Sequence, residues 1–154
     1  MFTLVRSDSN SQDFLDLVQQ LDADLAQRYG TTQLSYNKYN KIQNIDTIVI
    51  AYINNIAVGC GCFKPFDEQS IEIKRMYVKP KNRGTGISKK ILFELEKWAA
   101  ELGFSESILE TGVKQHEAIG LYNKNGYHRI DNYDQYAGMP NSICFGKCLS
   151  KVKE

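Results

Sequence analysis

The chain has 154 residues, 42% of them hydrophobic and 24% charged, with a formal net charge of +1. That length suits one domain over residues 1–154, and that charge makes no global case for nucleic acid. No apolar run is long enough to span a bilayer, and the opening MFTLVRSDSN lacks the apolar stretch of a signal peptide, so no membrane and a cytoplasmic setting are expected.

Residues 2–7 read as a first strand. Ser9 and Gln12 have the spacing of a capping box, and Phe14, Leu17, Val18, Leu21 and Leu25 follow at helical intervals up to Gly30. Residues 31–45 are polar and tyrosine-rich, without a clear period. Asp46–Ile53, Ile56–Phe66 and Ser70–Val78 read as three strands, joined by turns at Asn54-Asn55 and Asp67-Glu68-Gln69. Such short turns imply an antiparallel meander. A helix is predicted from about Gly86 to Leu102, with Ile87, Ile91, Leu95, Trp98 and Leu102 on one face and Gly103 as its C′ glycine. Ser105–Thr111 reads as a strand, Gln115–Asn125 as a short helix ended by Gly126, and Tyr127–Tyr133 and Ser142–Leu149 as the last strands. The order βα, βββ, αβαββ describes a mixed α/β domain with a largely antiparallel sheet. Cys60 with Cys62, and Cys144 with Cys148, alternate along strands, and neither pair has metal-site spacing, so all four read as buried, reduced strand thiols and no metal is expected.

The stretch SIEIKRMYVKPKNRGTGIS, residues 70–88, carries the chemistry. A strand, a glycine-rich turn and a helix N-terminus follow one another. Such a turn presents unpaired backbone N–H groups, and the helix dipole adds partial positive charge, so the arrangement suits phosphate. Gly84 and Gly86 let the backbone approach an anion closely. A P-loop string is missing. A dinucleotide fingerprint fails as well, because Lys89 stands at the third glycine position and the preceding strands form a meander.

The segments EIKRMYV, PKNRGTGIS, LETG and EAIGLYNKNGY, all within residues 70–127, resemble the GNAT N-acetyltransferase superfamily. The order of elements outside that window also fits. The resemblance implies a GNAT fold: about seven mostly antiparallel strands flanked by about four helices, with two central strands splayed apart. It implies acetyl-CoA as acyl donor and a primary amine of a small or amino-acid-like molecule as acceptor. Many members dimerise, which makes a homodimer a further expectation. Two departures stand out: Lys81 opens the glycine loop where the family uses glutamine or arginine, and Gln115 replaces an asparagine. Both concern side chains and leave the backbone cradle intact.

Carried onto this sequence, the resemblance sets the donor's pyrophosphate on the N–H groups of Gly84, Thr85, Gly86, Ile87 and Ser88. It sets the pantetheine beside Met76, Tyr77 and Val78, at a β-bulge near Arg75–Met76. Arg83 contacts the phosphates or closes the loop, and Gln115, Tyr122 and Lys124 complete the cofactor contacts. An alkylammonium of pKa ~10.4 is nearly all protonated at neutral pH, so a base helps. Glu72 aligns with the family's glutamate base and alternates with the aliphatics Ile71 and Ile73; the alternative is a strand carboxylate paired with Lys74 or another cation. The Met76 N–H is the implied oxyanion donor. Tyr122 matches the tyrosine that protonates the departing thiolate, the alternative being a core aromatic. Glu110 is either a second carboxylate for the amine or structural, and His116, at a helix start, reads as exposed.

On the acceptor side, Tyr29, Tyr36, Tyr39, Tyr133 and Tyr136 are candidates for pocket walls. The chain holds nine tyrosines in all, so their presence alone selects no ligand. The rival to an enzyme is a CoA-binding or partner-binding module on the same scaffold, which needs the loop but neither Glu72 nor Tyr122.

Overall fold

A computed structural model describes residues 1–29 and 45–149. The tyrosine-rich stretch, with Tyr36, Tyr39 and the helix-ending Gly30, lies outside the described residues, as does the Tyr29 side chain. The strands are β1 (Phe2–Ser7), β2 (Ile48–Ile53), β3 (Ile56–Pro65), β4 (Ser70–Val78), β5 (Glu106–Gly112), β6 (His128–Ile130) and β7 (Ser142–Cys148). The α-helices described are α1 (Gln12–Tyr29), α2 (Ile87–Glu101) and α3 (His116–Lys124). The strands form one sheet in the order β1-β2-β3-β4-β5-β7-β6. The β4–β5 pair is parallel, while β1–β2, β2–β3, β5–β7 and β6–β7 are antiparallel. This is the mixed α/β architecture expected from the sequence.

By contact the chain divides into two compact units, Met1–Phe63 with Arg75–Leu95 and Lys64–Lys74 with Glu96–Glu154. In the first unit, Phe14, Leu17, Val18, Leu21 and Leu25 of α1 bury against Ile48, Ile50, Cys60, Cys62 and Tyr77. The i, i+3, i+4 spacing on α1 meets the period-two face of the strands, and burying each such side chain is worth about 1.5–3 kcal/mol. Ile91 and Leu95 of α2 approach Gly59 and Gly61 of β3. Cover on both faces accounts for the unbroken apolar run IVIAYI of β2. At Gly61 a Cβ would stand 2.4 Å from the Met76 sulfur, so only glycine admits that side chain in its present place. Asn54 and Asn55 take φ of +49° and +68°, the left-handed pair a two-residue hairpin requires.

Four local readings shift. Cys148, expected to be buried like the other cysteines, is exposed at the end of β7. The cap of α1 is Ser11, not Ser9: its hydroxyl accepts the Phe14 N–H at 3.3 Å, which leaves Gln12 as the first helical residue. On α2 the buried stripe is Ile87, Ile91, Leu92, Leu95 and Ala99, while Leu102 is exposed because the helix ends at Glu101. The last meander strand is also short: β6 stops at Ile130, and a 3₁₀ turn, Asp134–Tyr136, occupies the approach to β7.

In the second unit β5 pairs along its whole length with β7, from Glu106↔Cys148 to Gly112↔Ser142. Its parallel pairing with β4 runs only from Ser70↔Glu106 to Ile73↔Leu109. A buried polar knot fixes α3 and β6: the Tyr127 hydroxyl donates to Glu96 at 2.9 Å and meets the Ser107 hydroxyl at 2.8 Å, and Lys147 pairs with the other Glu96 oxygen at 2.9 Å. Every polar end in this knot has a partner, which makes its burial tolerable.

Candidate active site

The glycine loop belongs to the first unit. Pro80–Asn82 form a 3₁₀ turn, and α2 begins at Ile87. Gly84 and Gly86 have φ of +79° and +83°, a region that side-chain-bearing residues enter only at a cost of about 1–2 kcal/mol. No acceptor among the described residues takes the N–H groups of Gly84, Thr85, Gly86, Ile87 or Ser88. A row of such donors at a helix N-terminus can hold an anion. The Thr85 side chain is turned to its own loop, donating to the Asn82 carbonyl at 2.7 Å. Arg83 likewise folds back: its Nε donates to the Val78 carbonyl at 2.8 Å, and its guanidinium lies 5.5 Å from the Tyr77 ring centroid.

Strand β4 breaks its regular conformation at Arg75, whose φ is +59°. A non-glycine residue held there costs on the order of 1–3 kcal/mol. The buried Arg75 guanidinium is tied to Asp22 of α1, and the Cys60 thiol donates to the Arg75 carbonyl at 3.5 Å. Met76, next along, is half-buried on Gly61. Tyr77 and Val78 are buried.

The other expected residues belong to the second unit. Tyr122 on α3 is 4% exposed, edge-on to Tyr127 at 5.5 Å and tilted against Phe145 at 6.0 Å. Burial, with the negative charge of Glu110 behind it, holds its phenol well above the usual range, so it stays a donor at neutral pH. Its hydroxyl bonds no described residue. Gln115 spends its side-chain oxygen on the Gly112 N–H at 2.8 Å and the Thr111 hydroxyl at 3.1 Å, pinning the turn from β5 into α3. Lys124 and His116 are exposed.

Both faces of β4 are covered, so Glu72 is only 2% exposed instead of standing in solvent. Its carboxylate accepts the Tyr133 hydroxyl at 2.7 Å, with the ammonium groups of Lys74 at 3.9 Å and Lys64 at 3.7 Å. Tyr133 stacks edge-on with Phe66 at 5.2 Å and with Tyr136 at 5.7 Å. Glu110, pairing opposite Cys144, keeps some exposure and accepts the Ser142 hydroxyl at 2.6 Å. Burial is the main cause that lifts its carboxyl to about 7; Ser142 and Lys74 pull the other way, and Glu72 adds to the rise. The Glu72–Tyr133 and Glu110–Ser142 bonds were not read from the sequence. Their partners are 61 and 32 residues apart, and no local pattern links them. Among the described residues no three His, Cys, Asp or Glu side chains gather as metal ligands, and no described helix is long and apolar enough to cross a membrane.

Comparison with known proteins identifies the family. The acetyltransferase (GNAT) family model matches residues 14–127. An IAA acetyltransferase of Azospirillum brasilense is 29% identical over 155 residues, spanning 96% of this chain and 97% of that protein. A crystal structure from Klebsiella pneumoniae, named as an acyl-CoA N-acyltransferase, superposes with a TM-score of 0.82 at 30% identity, covering 97% of this chain and 99% of that one. A GNAT acetyltransferase of Elizabethkingia anophelis with acetyl-CoA bound shares the fold, with a TM-score of 0.69 at 18% identity over 96% and 98% of the two chains. The chain belongs to the GNAT acetyltransferase family and is an acetyltransferase.

Proposed function

We propose that the protein transfers an acetyl group from acetyl-CoA to a primary amine of a small or amino-acid-like acceptor, by direct attack in a ternary complex. The observation that carries this reading is the row of N–H groups from Gly84 to Ser88, which no described acceptor uses, at the start of α2. In a GNAT chain that row suits the donor's pyrophosphate. The acetyl-CoA-bound relative from Elizabethkingia supports the choice of donor.

The chemistry follows from the groups available. The amine nitrogen attacks the thioester carbonyl, the Met76 N–H steadies the oxyanion, and the collapsing intermediate expels CoA thiolate. Tyr122, held protonated, donates to that sulfur. A carboxylate of the second unit takes the proton that the ammonium must lose first; Glu72 is the one to which the family alignment points.

The test is a thermal-shift titration with acetyl-CoA, followed by an amine screen at saturating donor read by free-thiol release. IAA belongs in that screen because of the Azospirillum relative's name. Saturable stabilisation and amine-dependent thiol release are expected. Stabilisation without release to any acceptor would favour the CoA-binding module instead.

A further inference from the structure

We propose that Lys64, near the end of β3, selects acceptors that carry a carboxylate, and that the acceptor is an α-amino acid whose apolar side chain lies on Phe66 and Tyr133; this deepens the acetyltransferase reading above and rests on it. The four groups that carry the inference belong to the second unit and close a circuit. Lys64 Nζ stands 3.7 Å from Glu72, and Glu72 accepts the Tyr133 hydroxyl at 2.7 Å. The Tyr133 ring meets Phe66 edge-on at 5.2 Å, and Phe66 follows Lys64 by two residues. Residues two apart on extended backbone share a side.

Charge points to an anion. Two ammonium groups attend the single carboxylate of Glu72. The Lys74 side chain is 3% exposed, and a buried ammonium needs a counter-charge. Lys64 differs. Its side chain is 43% exposed, its distance from Glu72 is beyond hydrogen-bond range, and no described residue accepts a hydrogen bond from it. Glu110, with its carboxyl lifted to about 7, brings only part of a negative charge at neutral pH. Lys64, Lys74, Glu72 and Glu110 therefore sum to a net positive charge, and Lys64 is the member that solvent and ligands reach. An ammonium holding a carboxylate makes a charge-assisted contact, among the stronger polar ones. A polyamine meets like charge there.

Shape and polarity narrow the class. Phe66 is 39% exposed. Tyr133 is half-buried, with its hydroxyl fixed on Glu72 and its ring edge-on to the buried Tyr136. Rings already held in place give apolar contact area at little entropic cost. An ammonium and an apolar surface side by side match the carboxylate and the side chain that an apolar α-amino acid carries on one carbon, leaving its amine for the thioester.

The experiment measures kcat and KM at saturating acetyl-CoA for leucine and phenylalanine, for their primary amides, and for the decarboxylated isoamylamine and phenethylamine. The wild type should favour each acid over its amide by about tenfold or more in kcat/KM. An amide next to the amino group lowers its basicity and leaves more of it unprotonated, so the comparison is weighted against the proposal. Lys64→Ala should raise KM for the acids about tenfold with little change in kcat, as expected for a contact made equally before and during reaction, and should change KM for the neutral amines far less. Lys64→Arg should restore most of the preference, and Lys64→Glu should reverse it. Lys97→Ala, which removes an exposed lysine of α2 in the same unit, should keep the wild-type values. Thermal stabilisation by acetyl-CoA in each variant verifies that it is folded. Equal use of acids and amides, turnover of the neutral amines alone, a loss in Lys64→Ala that is the same for every acceptor, or an equal loss in Lys97→Ala would each overturn the inference and leave the acetyltransferase reading intact. Failure of the wild type to acetylate any amine would overturn both.

Discussion

The two units differ in how they use polar groups. In Met1–Phe63 with Arg75–Leu95 the core is aliphatic and aromatic apart from the buried Arg75, and the backbone amides before α2 have no described acceptor, while Arg83 and Thr85 donate to the Val78 and Asn82 carbonyls. In Lys64–Lys74 with Glu96–Glu154 ionisable side chains are buried: Glu72, Lys74 and Glu96, with Glu110 partly so. Main-chain recognition depends on φ and tolerates exchange of side chains. Side-chain chemistry depends on single oxygens and on desolvation, so a change of one atom matters there.

Four experiments would sharpen or break that contrast. The largest effect is expected for Tyr122→Phe, which removes one oxygen from a buried ring. It should lower kcat by about 100-fold with acetyl-CoA binding little changed, as read by thiol release and thermal shift. An intact rate would return Tyr122 to the core-aromatic reading. Next, Tyr127→Phe leaves Glu96 and Ser107 short of a partner; chemical denaturation should show a loss of about 1–3 kcal/mol. In the first unit, Gly86→Ala forces a Cβ into φ +83° without touching a neighbouring atom. It should weaken acetyl-CoA about tenfold, equivalent to about 1.4 kcal/mol of backbone strain, whereas Thr85→Ala should change binding far less.

The fourth experiment concerns pH. The Glu110 carboxyl is raised from 4.5 to about 7, so the folded protein holds a proton there that the unfolded chain has released. The stability this gives is fully present below about pH 4.5 and is lost as pH rises to about 7. Melting curves of the wild type should decline across that window relative to Glu110→Gln. Parallel curves would mean that Glu110 is solvated like a surface carboxylate.

Much of the frame could be read from local patterns. The bounds of β1 and β4 match the sequence reading to the residue, Gly103 and Gly126 end their helices at positive φ, and the turn at Asn54-Asn55 is left-handed as a two-residue hairpin demands. Capping was less legible, because Ser9 and Ser11 both satisfy the residue preference and only the helix start chooses between them. The glycine turn before α2 was legible because strand, turn and helix start are contiguous in the chain.

The amino-acid sequence by itself determined the order of the elements, the glycine turn before α2 and the presence of two carboxylates on separate strands. Those features arise from side-chain period and backbone φ preference, which act over a few residues. Only the tertiary structure decided which carboxylate is occupied and which is available. That depends on Tyr133, Lys64 and Lys74 meeting Glu72, and on Ser142 meeting Glu110. Burial and long-range pairing decide which carboxylate oxygens are engaged, and strand alternation alone does not encode either.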